Sequence, residues 1–471
     1  TGLLHMGNAR GAALGDSLAS VLEAAGYEVS REYYINDTGN QIENFGKSLE
    51  ARYLELLGED VEFPEDGYHG LDITDTARAI LDREGDRLRH EDAAARRAFM
   101  IKEGLREKLQ SIRQSLENFG VVYDVWFSEL SLHDGGNIAE TIQIMKEKDL
   151  LFEGDGALWL KATAFGEDKD EVMMKSTGVP TYFAVDIAYH RDKYERGFST
   201  LINIWGADHH GHVARMKAAM GSLGYDPDSL EVILMQLVRL MRGNEVVRMS
   251  KRSGEYVTLD ELVEEVGRDA ARFFFIMRSA DSQMDFDMDL AKSQSSDNPV
   301  YYVQYAHARI HSLLKMALVT DAAANGADAG EGDSADVGDA GTGASVGDGD
   351  AAGAGTGAGM GDAGTGVAAD GPTPWQGADA GLLRHPAEQA LIRKLADLPD
   401  EVVQAAMDRE PHRLPRYAMD LAALYHSFYT ECRCLVDDMP LRYARLQLCD
   451  ATRIVLRNVL RLIGVSAPER M

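Results

Sequence analysis

A histidine and an asparagine flank a short apolar pair in His5-Met6-Gly7-Asn8. About 240 residues later a compact basic run reads Arg248-Met249-Ser250-Lys251-Arg252. The first stretch stands where a loop enters a helical pattern. A helix start presents unpaired N–H groups and the positive end of the dipole, which suits phosphate. Gly7 lets a flat ligand approach the backbone, and His5 and Asn8 can donate hydrogen bonds to phosphate or ribose. The second stretch puts Arg and Lys on a loop that can close on a triphosphate and neutralise departing pyrophosphate. Each stretch alone also reads as an ordinary capping loop or a basic surface turn. In this order and spacing they point to activation of a carboxylate with ATP.

Three further groups carry chemistry. Tyr182 and Asp186 are four residues apart, so one helical face would hold both. A planar guanidinium with five donors fits a bidentate carboxylate and an aromatic plane; an exposed helical carboxylate beside a core tyrosine is the plainer alternative. Asn36 and Asp37 end a strand pattern, where ligands gather in α/β sheets, or else form a simple turn. Gly206-Ala207-Asp208-His209-His210 follows another short apolar run. Asp208, His209, His210 and His212 are too closely spaced to converge easily on one metal ion. Cys432, Cys434 and Cys449 read as structural thiols, with no zinc expected, since i and i+2 diverge on a helix.

These groups need elements to position them. Residues 6–25 show helical apolar spacing with Gly26 as a cap, and 28–35 read as a strand. Residues 75–118 read as helical, 157–161 and 171–175 as strands, and 201–205 as a buried parallel strand. The alternation predicts an α/β, Rossmann-like parallel-sheet domain. Beyond residue 380 all is helical. One stripe runs through Leu391, Leu395, Leu398 and Val402, another through Tyr417, Leu421, Leu424, Phe428 and Leu435, and a third through Leu456, Val459, Leu460 and Ile463. With 300–318 they predict an all-α bundle.

The chain has 471 residues, 45% hydrophobic and 27% charged, enough for two or three domains. It has no apolar run of about 18 residues and no basic-then-apolar leader pattern. The sparse, odd cysteine count fits a reducing, cytoplasmic setting. Of the net charge of −29, residues 321–380 supply −11, with eleven Asp/Glu, no Lys or Arg and 17 of the 46 glycines. That composition cannot offset its ordering entropy and reads as a disordered insertion over 320–380. Gly364-Thr365-Gly366-Val367-Ala368-Ala369 formally matches a dinucleotide pattern but has no strand before it. The remaining −18 means that any polyanion-binding surface must be local.

The two loops resemble the HIGH and KMSKS signatures of class I aminoacyl-tRNA synthetases. The neighbouring segments narrow the resemblance to arginyl-tRNA synthetases. They are His5-Met6-Gly7-Asn8-Ala9-Arg10-Gly11, Arg31-Glu32-Tyr33-Tyr34-Ile35-Asn36-Asp37, the run from Thr181 to His190 and that from Trp205 to Gly211. Glu410-Pro411-His412-Arg413-Leu414 and the closing run from Gly464 to Met471 resemble that family's C-terminal domain. Only 320–380 lies outside the resemblance. Asn8 replaces the second His of HIGH and keeps a donor without a charge. Arg248 replaces the first Lys of KMSKS and keeps the charge.

The resemblance implies a catalytic domain over 1–298 with a connective insertion at about 45–175. A helical anticodon-binding domain would span 299–319 and 381–471. It implies an arginine–tRNA ligase that forms arginyl-adenylate and transfers arginine to the 3′ end of tRNA(Arg), with the tRNA usually bound before activation. His5, Asn8 and Lys251 would be catalytic. His5, Gly7, Asn8, Gly206, Asp208, Met249, Ser250, Lys251 and Arg252 would bind ATP, with Mg²⁺ accompanying it. Asn36, Asp37, Tyr182 and Asp186 would bind L-arginine. A monomer is expected, with no membrane partner. Family members carry an N-terminal domain and a first core strand ending in Ser-x-Asn-Pro-Thr-Gly, and this sequence begins at that Thr-Gly. The alternative is therefore an N-terminally truncated or non-catalytic tRNA-binding relative, and this chain alone is expected to be unstable or nearly inactive. An unrelated nucleotidyltransferase of the superfamily would share the loops without the Tyr182/Asp186 segment or the bundle.

Overall fold

The computed structural model describes residues 2–243, 245–247, 257–325 and 373–471. Arg248, Met249, Ser250, Lys251 and Arg252 lie outside the described residues, as does most of 320–380.

Helix α1 (Met6–Ala24) buries Ala9, Ala13, Leu18, Val21 and Leu22, and the chain turns at Gly26 with φ +94°. Strand β1 (Glu32–Ile35) is shorter than the expected 28–35. The Arg31 N–H is taken by the Asp124 carboxylate at 2.7 Å instead of a strand neighbour. Helices α2 (Gly39–Leu56), α3 (Leu71–Glu84) and α4 (Ala93–Asn118) share a core of Phe45, Leu49, Tyr53, Ile73, Ile80 and Met100. The continuous helical reading of 75–118 is broken at Gly85, φ +61°, and restarts at Asp92, whose carboxylate caps the Ala94 and Ala95 N–H groups at 3.0 Å.

Strand β2 (Val125–Ser128) pairs in parallel with β1, with Ile35 opposite Ser128. Helices α5 (Glu129–Asp134) and α6 (Asn137–Glu147) lead to an antiparallel sheet of β3 (Leu151–Gly154), β4 (Ala157–Leu160) and β5 (Glu171–Met174). The Thr181 hydroxyl caps α7 (Tyr182–Glu195). Strand β6 (Leu201–Gly206), helix α8 (His210–Leu223) and strand β7 (Leu230–Met235) form a βαβ unit with Gly206 opposite Met235. Strands β8 (Val238–Arg242) and β9 (Glu245–Val246), helices α9 (Leu259–Val266) and α10 (Arg268–Ile276), strand β10 (Met284–Asp287) and helix α11 (Met288–Lys292) follow. β10 pairs in parallel with β8. The expected parallel layer is thus present, but among the described residues it is paired in three pieces.

The bundle consists of α12 (Pro299–Asn325), α13 (Pro386–Ala396), α14 (Leu398–Met407), α15 (Arg413–Glu431) and α16 (Met439–Leu462). The stripe from Leu391 to Val402 spans two helices, because the chain breaks at Asp397 and Pro399 can stand only in a first turn. Leu435 lies beyond α15. The expected 320–380 stretch is too wide at both ends: α12 continues past residue 320, and Trp375 is buried against the bundle at 2% exposure. One buried cluster runs from Met6 and Ala13 of α1 through Phe273 of α10 to Tyr417 and Leu460 of the bundle. The three cysteines are free and buried. No helix among the described residues is long and apolar enough to cross a membrane.

Candidate active site

His5 is the N-cap of α1. Its Nδ1 accepts from the Gly7 N–H at 3.1 Å, and Asn8 Oδ1 accepts from the His5 N–H at 3.2 Å. The side chains expected to meet phosphate therefore first organise the helix end that would bind it. A Cβ at Gly7 would stand 3.0 Å from the His5 ring, so glycine lets the ring fold over the helix start. Leu4 and His5 pair with the chain leaving the second signature: Leu259 donates its N–H to the Leu4 carbonyl at 2.8 Å, and His5 bridges Thr258. The segment that begins at Val257, after the basic run, is thus stitched to the start of α1.

Asn36, Asp37 and Glu129 leave the same end of the β1–β2 pair. The Asn36 Oδ1 is buried without a hydrogen-bond partner, an acceptor suited to an incoming N–H. Asp37 is already engaged, accepting from Ser128 Oγ at 2.6 Å and from the Leu130 N–H at 2.9 Å. It therefore caps α5, and what it could offer a ligand is mainly its charge. Glu129, absent from the residues selected by sequence, is a buried carboxylate that accepts from Thr38 Oγ1 at 2.7 Å. Burial pushes the Tyr34 phenol far up, and Glu129, Asp186 and Asp37 push it further. The charges of all three carboxylates are felt at this phenol, so the neighbourhood of Tyr34 favours a cation.

Tyr182 and Asp186 share the first turns of α7, as their spacing requires. Tyr182 is 65% exposed, and Asp186 Oδ2 lies 3.0 Å from His212 Nε2 on α8. Behind them, His190 is buried, with Nδ1 at 2.7 Å from the Asp186 carbonyl and Nε2 at 2.7 Å from Asn203 Nδ2. A carbonyl only accepts, so Nδ1 carries the proton and Nε2 accepts from the amide. Burial, helped by the Lys193 charge, holds the His190 pKa down to about 4. This neutral ring pins α7 to β6, and so Asp186 to the strand that ends in Gly206. There the Asp208 carboxylate folds back over Gly206, where a Cβ would collide with it. Asp208 lies 3.8 Å from His209 in an exposed pair.

Arg10 was carried in the motif without a role. It is buried, and its guanidinium donates to the carbonyls of Gln236 at 2.8 Å, Ser282 at 3.2 Å and Ser279 at 2.8 Å. It fixes α1 against the β7–β8 and α10–β10 connections.

Residues 2–296 match the family described as tRNA synthetases class I (R), catalytic domain, and 368–471 match the DALR anticodon binding domain. The chain is 58% identical over its whole length to an arginine–tRNA ligase of Heliobacterium modesticaldum and 56% identical to one of Moorella thermoacetica, spanning 76% of each. It belongs to the arginyl-tRNA synthetase family. A solved structure from Campylobacter jejuni described as an arginyl-tRNA synthetase superposes with TM-score 0.80 at 30% identity, covering all of this chain and 91% of that one. The Thermus thermophilus enzyme, at 24% identity and TM-score 0.70, shares the fold. In this synthetase, then, the α1 cap belongs to the catalytic domain and α13 to α16 to the anticodon domain.

Proposed function

We propose that this arginine–tRNA ligase selects arginine by charge at the β1–β2 end and activates it at the cap of α1. The observation that carries this reading is that Asp37, Glu129 and the unpartnered Asn36 Oδ1 leave the same end of the β1–β2 pair, where the charge of Asp186 is also felt at Tyr34. Asp186 and Glu129 receive the guanidinium, Tyr182 covers its plane and Asn36 accepts one N–H. The arginine carboxylate attacks the α-phosphorus of ATP and pyrophosphate leaves. His5, Gly7 and Asn8 hold the phosphates at the helix start. Gly206 and Asp208 hold the adenosine. Lys251, with Met249, Ser250 and Arg252, closes on the departing pyrophosphate. The 3′-terminal ribose hydroxyl of tRNA(Arg) then attacks the activated carbonyl and AMP leaves. Mg²⁺ accompanying ATP would add charge neutralisation on the triphosphate.

The bundle supplies the tRNA-facing chemistry. Residues 381–471 carry 13 Lys/Arg against 12 Asp/Glu, whereas the chain as a whole is at −29. Tyr305, half exposed, is stacked with Tyr301 at 6.3 Å and with His426 at 6.1 Å, and Arg309 lies 4.1 Å from the Tyr429 ring. Such rings and guanidinium planes stack unpaired bases. The chain works as a monomer in the cytoplasm. The match of both catalytic and anticodon regions to arginine–tRNA ligases favours this reading over a non-catalytic tRNA-binding relative.

The test is charging of tRNA(Arg) with labelled arginine, alongside arginine-dependent pyrophosphate exchange. Arginine should be charged and citrulline, its neutral isostere, rejected. Equal use of citrulline would contradict selection by charge.

A further inference from the structure

Arg272 on α10 is fully buried and joins three distant parts of the chain. Its Nε donates to the Ile463 carbonyl just past α16 at 3.0 Å. Its Nη1 donates to the carbonyls of Phe119 and Gly120, just past α4, at 3.3 and 3.2 Å. Its Nη2 pairs with the Asp16 carboxylate on α1. Gly464, at φ +67°, has no room for a side chain: a methyl group there would overlap the guanidinium. Asp16 also lies 3.4 Å from Arg31 Nε, so its charge is held from two sides.

A buried guanidinium costs several kcal/mol unless fully paired, and an apolar side chain would fill the same volume without that cost. What the planar fork adds is geometry, since each acceptor is held at a set direction and distance. Asp16 stands eleven residues along α1 from His5, about 16 Å at the helical rise. A helix is stiff over that length, so a shift at Asp16 reaches the ATP-facing cap. A second tie runs beside it. Arg409 holds a left-handed φ of +58° and grips Glu231 of β7 with two bonds of 2.8 and 2.9 Å.

We propose that Arg272 is a positioning residue for adenylate formation. It locks the end of the anticodon-binding bundle to α1, so that the seating of the bundle sets where His5 and Asn8 stand against ATP. This rests on the aminoacylation reading above.

The test uses the full chain and four substitutions away from every substrate-binding residue: Asp16→Asn, Gly464→Ala, Arg272→Met and Arg272→Lys. Each is measured for thermal melting, for KM of ATP, arginine and tRNA, and for ATP dissociation by equilibrium dialysis. Asp16→Asn keeps the shape and removes the charge, and Gly464→Ala pushes on the guanidinium from the bundle side. Both should weaken ATP at least fivefold while the KM for arginine and tRNA stays within twofold. Arg272→Lys should recover part of the ATP affinity lost in Arg272→Met. If kcat falls in step with the folded fraction and ATP affinity is unchanged, Arg272 is only a scaffold and the proposal is overturned. If Gly464→Ala does not fold, Asp16→Asn decides alone. A wild-type chain that charges no tRNA with arginine would refute the underlying reading, and the ATP dissociation constants would still decide this one.

Discussion

Asp186 on α7 and His212 on α8 face each other with Oδ2 and Nε2 3.0 Å apart. The imidazole holds one carboxylate oxygen and leaves the other to meet a ligand. Hydrogen bonds to a charged group are worth about 1.5–3 kcal/mol, so Asp186→Asn should raise the KM for arginine by about 10- to 150-fold. The KM for ATP should move less than twofold. Equal changes in both, measured by pyrophosphate exchange, would detach Asp186 from the guanidinium.

Glu129 gives a second handle on the same cation. Glu129→Gln keeps an oxygen for Thr38 Oγ1, whose bond to Glu129 is 2.7 Å, and removes only the charge. The KM for arginine should rise by about tenfold or more, with the melting temperature little changed. Because both carboxylates would hold one guanidinium, the double variant with Asp186→Asn should be clearly non-additive. Simple additivity of the two effects would mean that they do not share a ligand.

His190 makes stability depend on pH. Its pKa of about 4 in the fold lies below the ordinary 6.5, chiefly because burial disfavours the cation. Between these values the unfolded chain binds the extra proton. The contribution of His190 is therefore whole above pH 6.5 and is lost as pH falls towards 4. The melting-temperature gap between wild type and His190→Gln should hold level from pH 7.5 to about 6.5 and narrow from there to pH 4.5. The comparison also cancels His307 and His426, which burial likewise holds low. A gap constant with pH would mean that His190 does not titrate in this window.

What was legible in the sequence was local. The apolar spacing of α1 and the short run of β6 set their own conformations, and the Tyr182/Asp186 pair needed only one helical turn. Glu129 was not legible, because its place depends on β1 and β2 pairing in register across 93 residues, Ile35 beside Ser128. Arg10 and Arg272 escaped for another reason. An arginine in a helical pattern normally faces water, and the partners that keep these two buried are mostly main-chain carbonyls more than 150 residues away. The break at Asp397 was hidden because the apolar stripe continues across it into α14.

The two ends of the acidic insertion are anchored on one helix. Asp321 pairs with Arg442 at 2.5 Å, and Trp375 Nε1 lies 3.5 Å from Asp450 Oδ2, both partners on α16. Eight residues of helix separate them, about 12 Å. Replacing residues 326–372 with a linker of about ten Gly and Ser residues should therefore preserve cooperative unfolding. The shorter loop should add about 1 kcal/mol of stability. Trp375→Ala should instead cost about 3–5 kcal/mol by opening a cavity in the bundle. Denaturant unfolding of both variants checks this; loss of cooperativity in the linker variant would show that the bundle needs the replaced residues.

Asn8 separates folding from chemistry at the α1 cap. Its Oδ1 closes the cap on the His5 N–H, and its amide NH₂ is not used there. Asn8→Ala should cost about 1 kcal/mol of stability through the lost cap. If the NH₂ also donates to phosphate, kcat/KM for ATP should fall at least tenfold, well beyond what that small destabilisation removes from the folded population. Asn8→Asp is the sharper variant. It keeps the acceptor that caps His5, replaces the donor by a negative charge and should retain the melting temperature. Facing the triphosphate, that charge should abolish adenylation. An Asn8→Asp chain with wild-type kcat/KM for ATP would place the phosphates elsewhere and leave Asn8 a purely structural cap.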